Sequence, residues 1–156
     1  METGNFSGQQ HKVNTLIWGG MVLSVFFYAG ISMVIPQPTP ADGMGPIFAA
    51  LALVGFTFAM MSNVLQHLML RSKEPVTRDP DQIVVKAFMR YRTVMIVRTA
   101  LAESLAIFGL VIYFLGGMQN ALFAMAGISL VCMLGCRPDL TKMLDYVSRQ
   151  KALIGT

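Results

Sequence analysis

The sequence predicts an all-α integral membrane protein: a four-helix bundle with both termini inside, a cytoplasmic extension of the third helix and an amphipathic C-terminal helix. Three observations carry this reading. Of the 156 residues, 54% are hydrophobic and only 13% are charged, and the mean hydropathy of +0.59 is too high for an ordinary soluble domain. The apolar residues gather in four runs parted by Pro-, Gly- or charge-rich breaks, and nearly all the basic residues fall on one side of those runs. At this length the chain is a single membrane domain, residues 1–156, with no room for a separate catalytic unit beside four bilayer spans.

The first run covers residues 13–35 and stops at Pro36. At about 1.5 Å per helical residue it crosses the roughly 30 Å hydrocarbon layer. A signal peptide would have a shorter apolar core, and Pro36, Pro38 and Pro40 do not suit a small-residue cleavage site, so the segment is expected to be a retained span. The second run covers residues 46–70, with Pro46 in its first turn, and ends at Arg71. Residues 71–92 form the one long loop and carry Pro75, Pro80 and nine of the twenty charged residues. Its second half is expected to fold as a helix capped by Asp79 with Pro80 first. Val84, Ala87, Phe88 and Tyr91 then follow a helical spacing into the third span, residues 93–117. Gly116, Gly117, Gln119 and Asn120 make a tight turn into the fourth, shorter run at 121–136. In the tail, residues 137–156, Leu140, Met143, Leu144 and Val147 share one side of an amphipathic helix, which either lies on the inner membrane surface or prolongs the fourth span.

Orientation follows from the lysines and arginines. Lys12 precedes the first span, six lie in the long loop and four follow the fourth span, while the two opposite connections carry none. The positive-inside rule then places both termini and the loop in the cytoplasm. The net charge of +4 and pI near 9.3 therefore mark topology, and no nucleic-acid partner is expected. Cys132 and Cys136 lie one helical turn apart and cannot bridge within a helix. With His11 and His67 the only histidines, neither a disulfide framework nor a metal site is expected. The thirteen methionines are expected to fill irregular helix packing.

Glu103 is the most informative residue, ten positions into the third span with three apolar turns after it. An ionised carboxylate at that depth has to be paired, wetted or protonated, and a group so poised can bind and release a proton. The alternative is a structural carboxyl hydrogen-bonded to a neighbouring helix. Thr99, Ala100, Ala106 and Ile107 share its face, a small and weakly polar stripe that lets another helix approach. Arg98, the one cation inside a span, points about 140° away from Glu103 and is expected to snorkel toward phosphates or to meet a carboxyl elsewhere. Asn63, Gln66 and His67 form a polar patch at the inner end of the second span. An antiparallel hairpin brings that patch near Arg98, where His67 is a candidate proton relay and the simpler account is interfacial contact with water and headgroups. The sequence has no Gly-rich phosphate loop, no Ser/His/Asp set and no pair of intramembrane histidines for haem, so neither an enzyme nor a cofactor is expected.

The run from Ala100 through Glu103 to Val111, A-L-A-E-S-L-A-I-F-G-L-V, resembles the carboxylate-bearing helix of the rotary ATP synthase c subunits and their vacuolar-type proteolipid relatives, where the acid sits in A-L-x-E-A-x-A-I-F/Y-G-L. The resemblance implies that Glu103 is an ion-carrying carboxyl, with H⁺ as the default ion. It further implies a homo-oligomer or a complex with other membrane subunits, and a bacterial cytoplasmic membrane. The family's partner helix carries a repeated Gly-x-Gly-x-Gly stripe, whereas residues 47–70 contain only Gly55, and here a further span follows the acid. Those departures point to the other expectation, an accessory or assembly subunit of a larger membrane complex.

Overall fold

The computed structural model describes residues 3–36, 38–39, 43, 45–70, 76–77, 79 and 82–153, with side chains from Gly8 onward and without those of Asn63, Gln66 and His67. Among these residues the chain is all-α: α1 Thr3–Val34, α2 Gly45–Leu70, α3 Ile83–Gly116, α4 Gln119–Gly135 and α5 Leu140–Ala152. Three helices are long and apolar enough to cross a membrane, within Gly8–Val34, Gly45–Ser62 and Ile83–Gly116. α4, with 17 residues, qualifies only together with α5, from which it is bent by 52°. The described residues thus include three or four apolar segments able to span a membrane, which supports membrane association.

α3 is the central helix, with α2 and α4 packed most extensively against it and α1 against both α3 and α4. The contacts along α3 give the directions. α2 runs antiparallel to it: Phe48 lies over Gly116, Gly55 over Leu105 and Phe108, and Ser62 beside Arg98. α4 is antiparallel too, since Gly109 meets Leu122 and Met125 while the Ser129 hydroxyl donates to the Ala102 carbonyl at 2.8 Å. α1 is parallel to α3: Ser24 and Tyr28 reach Glu103, and the Tyr113 hydroxyl lies 3.1 Å from the Ser32 carbonyl and 2.6 Å from that of Ile35. Tyr113 thereby satisfies carbonyls that the end of α1 leaves without helical partners ahead of Pro36.

Because lipid tails are as apolar as Leu, helix association in a bilayer relies on close packing and polar ties. Both are present. Each of α1, α2 and α4 is tied to α3 by a hydrogen bond, and the Trp18 indole N–H of α1 donates to the Met133 carbonyl of α4 at 2.9 Å. The α3–α4 turn closes on Gly117, whose φ of +64° and N–H donated to the Tyr113 carbonyl at 2.8 Å form a left-handed helix cap.

Outside the apolar region, α5 folds back on the first turns of α3. Ala87, Phe88 and Tyr91 pack with Met143, Tyr146 and Val147 in one buried cluster. In the tail, α5 is an amphipathic helix bent 52° from α4 and capped by Asp139, which accepts from the Thr141 N–H at 2.9 Å. Its buried face runs through Met143, Tyr146, Val147 and Gln150, whereas Leu144 is exposed, contrary to the expected stripe. The expected first helical residue, Pro80, lies outside the described residues; the described part of α3 begins at Ile83 behind Gln82, which makes no side-chain cap bond. Asp79 donates its N–H to the Thr77 hydroxyl and its carbonyl accepts from the Gln82 N–H, each at 3.3 Å.

Candidate functional site

Glu103 sits about midway along the apolar part of α3 and turns toward α1. Its Oε1 accepts hydrogen bonds from the hydroxyls of Ser24 and of Tyr28, the latter at 2.9 Å. Ser24 and Tyr28 are one helical turn apart, so a single face of α1 supplies both donors. Ser24 is itself at the middle of the first apolar run, with eleven residues to Val13 and eleven to Ile35. Two helices therefore agree on the depth of the carboxyl. The side chain is half-buried, at the edge between α1 and the outward face of α3 that carries Ala100 and Ile107.

The stripe around Glu103 is divided. Thr99 and Ala106 are fully buried, Ala106 in a cluster with Val25, Ala102, Ala126 and Met133, whereas Ala100 and Ile107 are exposed. The Thr99 hydroxyl donates to the Met95 carbonyl of its own helix at 2.9 Å. Arg98 is only 8% exposed and donates from Nε to the Ser62 carbonyl of α2 at 2.9 Å. α2 thus presents a backbone acceptor at the level of Arg98. Arg98 and Glu103 thus engage opposite neighbours, α2 and α1. α2 brings the backbone next to Asn63 up to Arg98, as an antiparallel hairpin requires, while the side chains of Asn63 and His67 lie outside the described residues.

Ser24 and Tyr28 were not singled out in the sequence. The signal was there as Ser24, Tyr28 and Ser32, hydroxyls repeated every four residues in an otherwise apolar span. Chemically, the assembly offers a carboxyl with one oxygen held by two donors, in apolar surroundings and at an edge that a partner or lipid can reach. Among the described residues no group of three or more His, Cys, Asp or Glu is arranged to hold a metal ion. Compared with known proteins, the chain matches no family model, no curated protein and no solved structure.

Proposed function

We propose that the chain is a membrane subunit that crosses the bilayer four times, with both termini and the long loop on the cytoplasmic side, and carries a proton on Glu103. The carrying observation is the depth of that carboxyl, on which α1 and α3 agree, together with the two hydroxyls aimed at it. Donors of this kind accommodate a carboxyl in apolar surroundings, and an intramembrane acid is by default a candidate for binding and passing an ion. The local likeness to rotary c subunits points the same way and adds a homo-oligomer working against a cationic partner. In this reading the protein is not an enzyme; it binds and passes an ion.

Four crossings are supported by the packing of α5. α3 and α4 are antiparallel, and α5 returns to the first turns of α3. If α4 did not cross, α5 and those turns of α3 would lie on opposite faces of the membrane. The basic residues around both support a cytoplasmic position for that face. The test of the site is reaction with a hydrophobic carbodiimide such as DCCD in native membranes. Glu103 is expected to be labelled, more slowly as pH rises, and complete inertness would overturn the proposal.

A second reading has its own observation. The hydrogen bonds from Ser24 and Tyr28 also fasten α1 to α3, and α2 offers only Gly55 for close approach instead of a glycine stripe. An accessory subunit of a larger membrane complex needs just such a structural clasp. Glu103→Gln preserves a hydrogen-bonding side chain but cannot titrate, so it is silent if Glu103 is a clasp and disabling if it carries a proton.

A further inference from the structure

We infer that the elbow between α4 and α5 binds the phosphate of an anionic lipid headgroup. Cations from three elements meet there: Arg98 of α3, Arg137 in the break and Lys142 in the first turns of α5, which together line a small polar recess. A wider groove of about 540 Å³ shares Arg137 and Lys142 and opens outward past His11, Leu134 and Leu140. Arg98 is held in place by the Ser62 carbonyl and sets a buried positive charge behind the recess. Asp139, the one carboxylate among the described residues that line the groove, is occupied as the cap of α5 and lies 3.9 Å from the Lys142 ammonium. Arg137 and Lys142 on the groove, with Arg98 on the adjoining recess, favour an anion.

A lipid suits the groove better than free phosphate does. Its mouth passes Leu134, and Val131 and Ile128 continue the same outward face of α4, all exposed, so an apolar track leads from the cations along the span. A headgroup phosphate in the groove places its acyl chains on that track. Basic recesses between membrane helices on the cytoplasmic side attract anionic lipids for this reason. The inference rests on the four-crossing arrangement proposed above, which puts the elbow at the inner interface, and not on titration of Glu103.

Trp18 is the only tryptophan in the chain, and its bond to the Met133 carbonyl places it beside Leu134. In full-length protein reconstituted in phosphatidylcholine vesicles, its fluorescence quenching by brominated phosphatidylglycerol against brominated phosphatidylcholine reads lipid preference directly. Phosphatidylglycerol is expected to be preferred. Each cation near the surface is worth about fivefold, so Arg137→Gln with Lys142→Gln should lower the preference by about 25-fold, and Arg137→Gln alone by about fivefold. Arg137 and Lys142 are exposed, and unchanged helical circular dichroism verifies that the variants fold. The charge-matched control, Lys86→Gln with Lys151→Gln, should keep the preference within about twofold, since neither residue borders the groove. Equal quenching by both lipids, or equal loss in the two double variants, would overturn the site. Loss of the preference on adding inorganic phosphate, at unchanged ionic strength, would overturn the assignment to lipid. No quenching by either lipid would overturn the membrane arrangement itself, an outcome distinct from failure of the site.

Discussion

At the residue scale, the Glu103 carboxyl is held through Oε1 alone, by two hydroxyls of one α1 face. Tyr28→Phe removes one donor and keeps the ring. It is expected to cost about 1 kcal/mol, the usual size of an intramembrane hydrogen bond, and to speed carbodiimide labelling, since the reagent then meets a less occupied oxygen. Thermal denaturation of the purified protein and the rate of labelling measure the two effects. Glu103 and Arg98 were legible in the sequence because charges are rare in apolar runs and stand out. What they bond to was not. Hydroxyls are ordinary in membrane helices, and whether Ser24 and Tyr28 face the acid depends on the rotation of α1, which is set by its packing on both α3 and α4. The acceptor at Arg98 was hidden for a related reason: it is the backbone carbonyl of Ser62, and backbone groups leave no mark in a sequence.

At the scale of elements, α2 packs tightly on α3 at Gly55, where an added Cβ would stand 2.9 Å from side-chain carbons of both Leu105 and Phe108. Gly55→Leu is expected to lose about 1 to 3 kcal/mol through overpacking, whereas Gly127→Leu, at a glycine with open space around it, should be silent. Resistance of the two variants to denaturing detergent makes the comparison. α5 depends on docking for its existence, because a helix of 13 residues is marginal in isolation. Burial pushes the Tyr146 phenol above its ordinary value near 10, against a lesser lowering by the charge of Arg90. The sign follows: docking favours the neutral phenol, so its contribution is complete below pH 10 and is lost as pH climbs through the raised value. Limited proteolysis should therefore release the tail in strong alkali. The Tyr146 hydroxyl is buried without a hydrogen-bond partner among the described residues, so Tyr146→Phe should be as stable as the parent and shift that release to higher pH. The existence of these elements was legible from apolar runs and helical spacing. Their packing faces were less so, as at α5, where Leu144 falls outside the buried face that Met143 and Val147 share.

At the scale of the molecule, the apolar composition and the one-sided lysines and arginines already described a membrane protein, and the helices supply three or four segments able to span. The arrangement around a central α3 was beyond the sequence, since apolar runs say nothing of which neighbours touch. Packing places Glu103, Ser24 and Tyr28 at one level, and it is this level that turns a lone acid into a candidate proton carrier. The most direct measurement is infrared difference spectroscopy of the protein in lipid across a pH series, with Glu103→Gln subtracted. The account predicts a protonated carboxyl band that belongs to Glu103 and gives way reversibly to carboxylate as pH rises. A Glu103 signal that stays in one protonation state throughout the pH range in which the helices remain folded would contradict it.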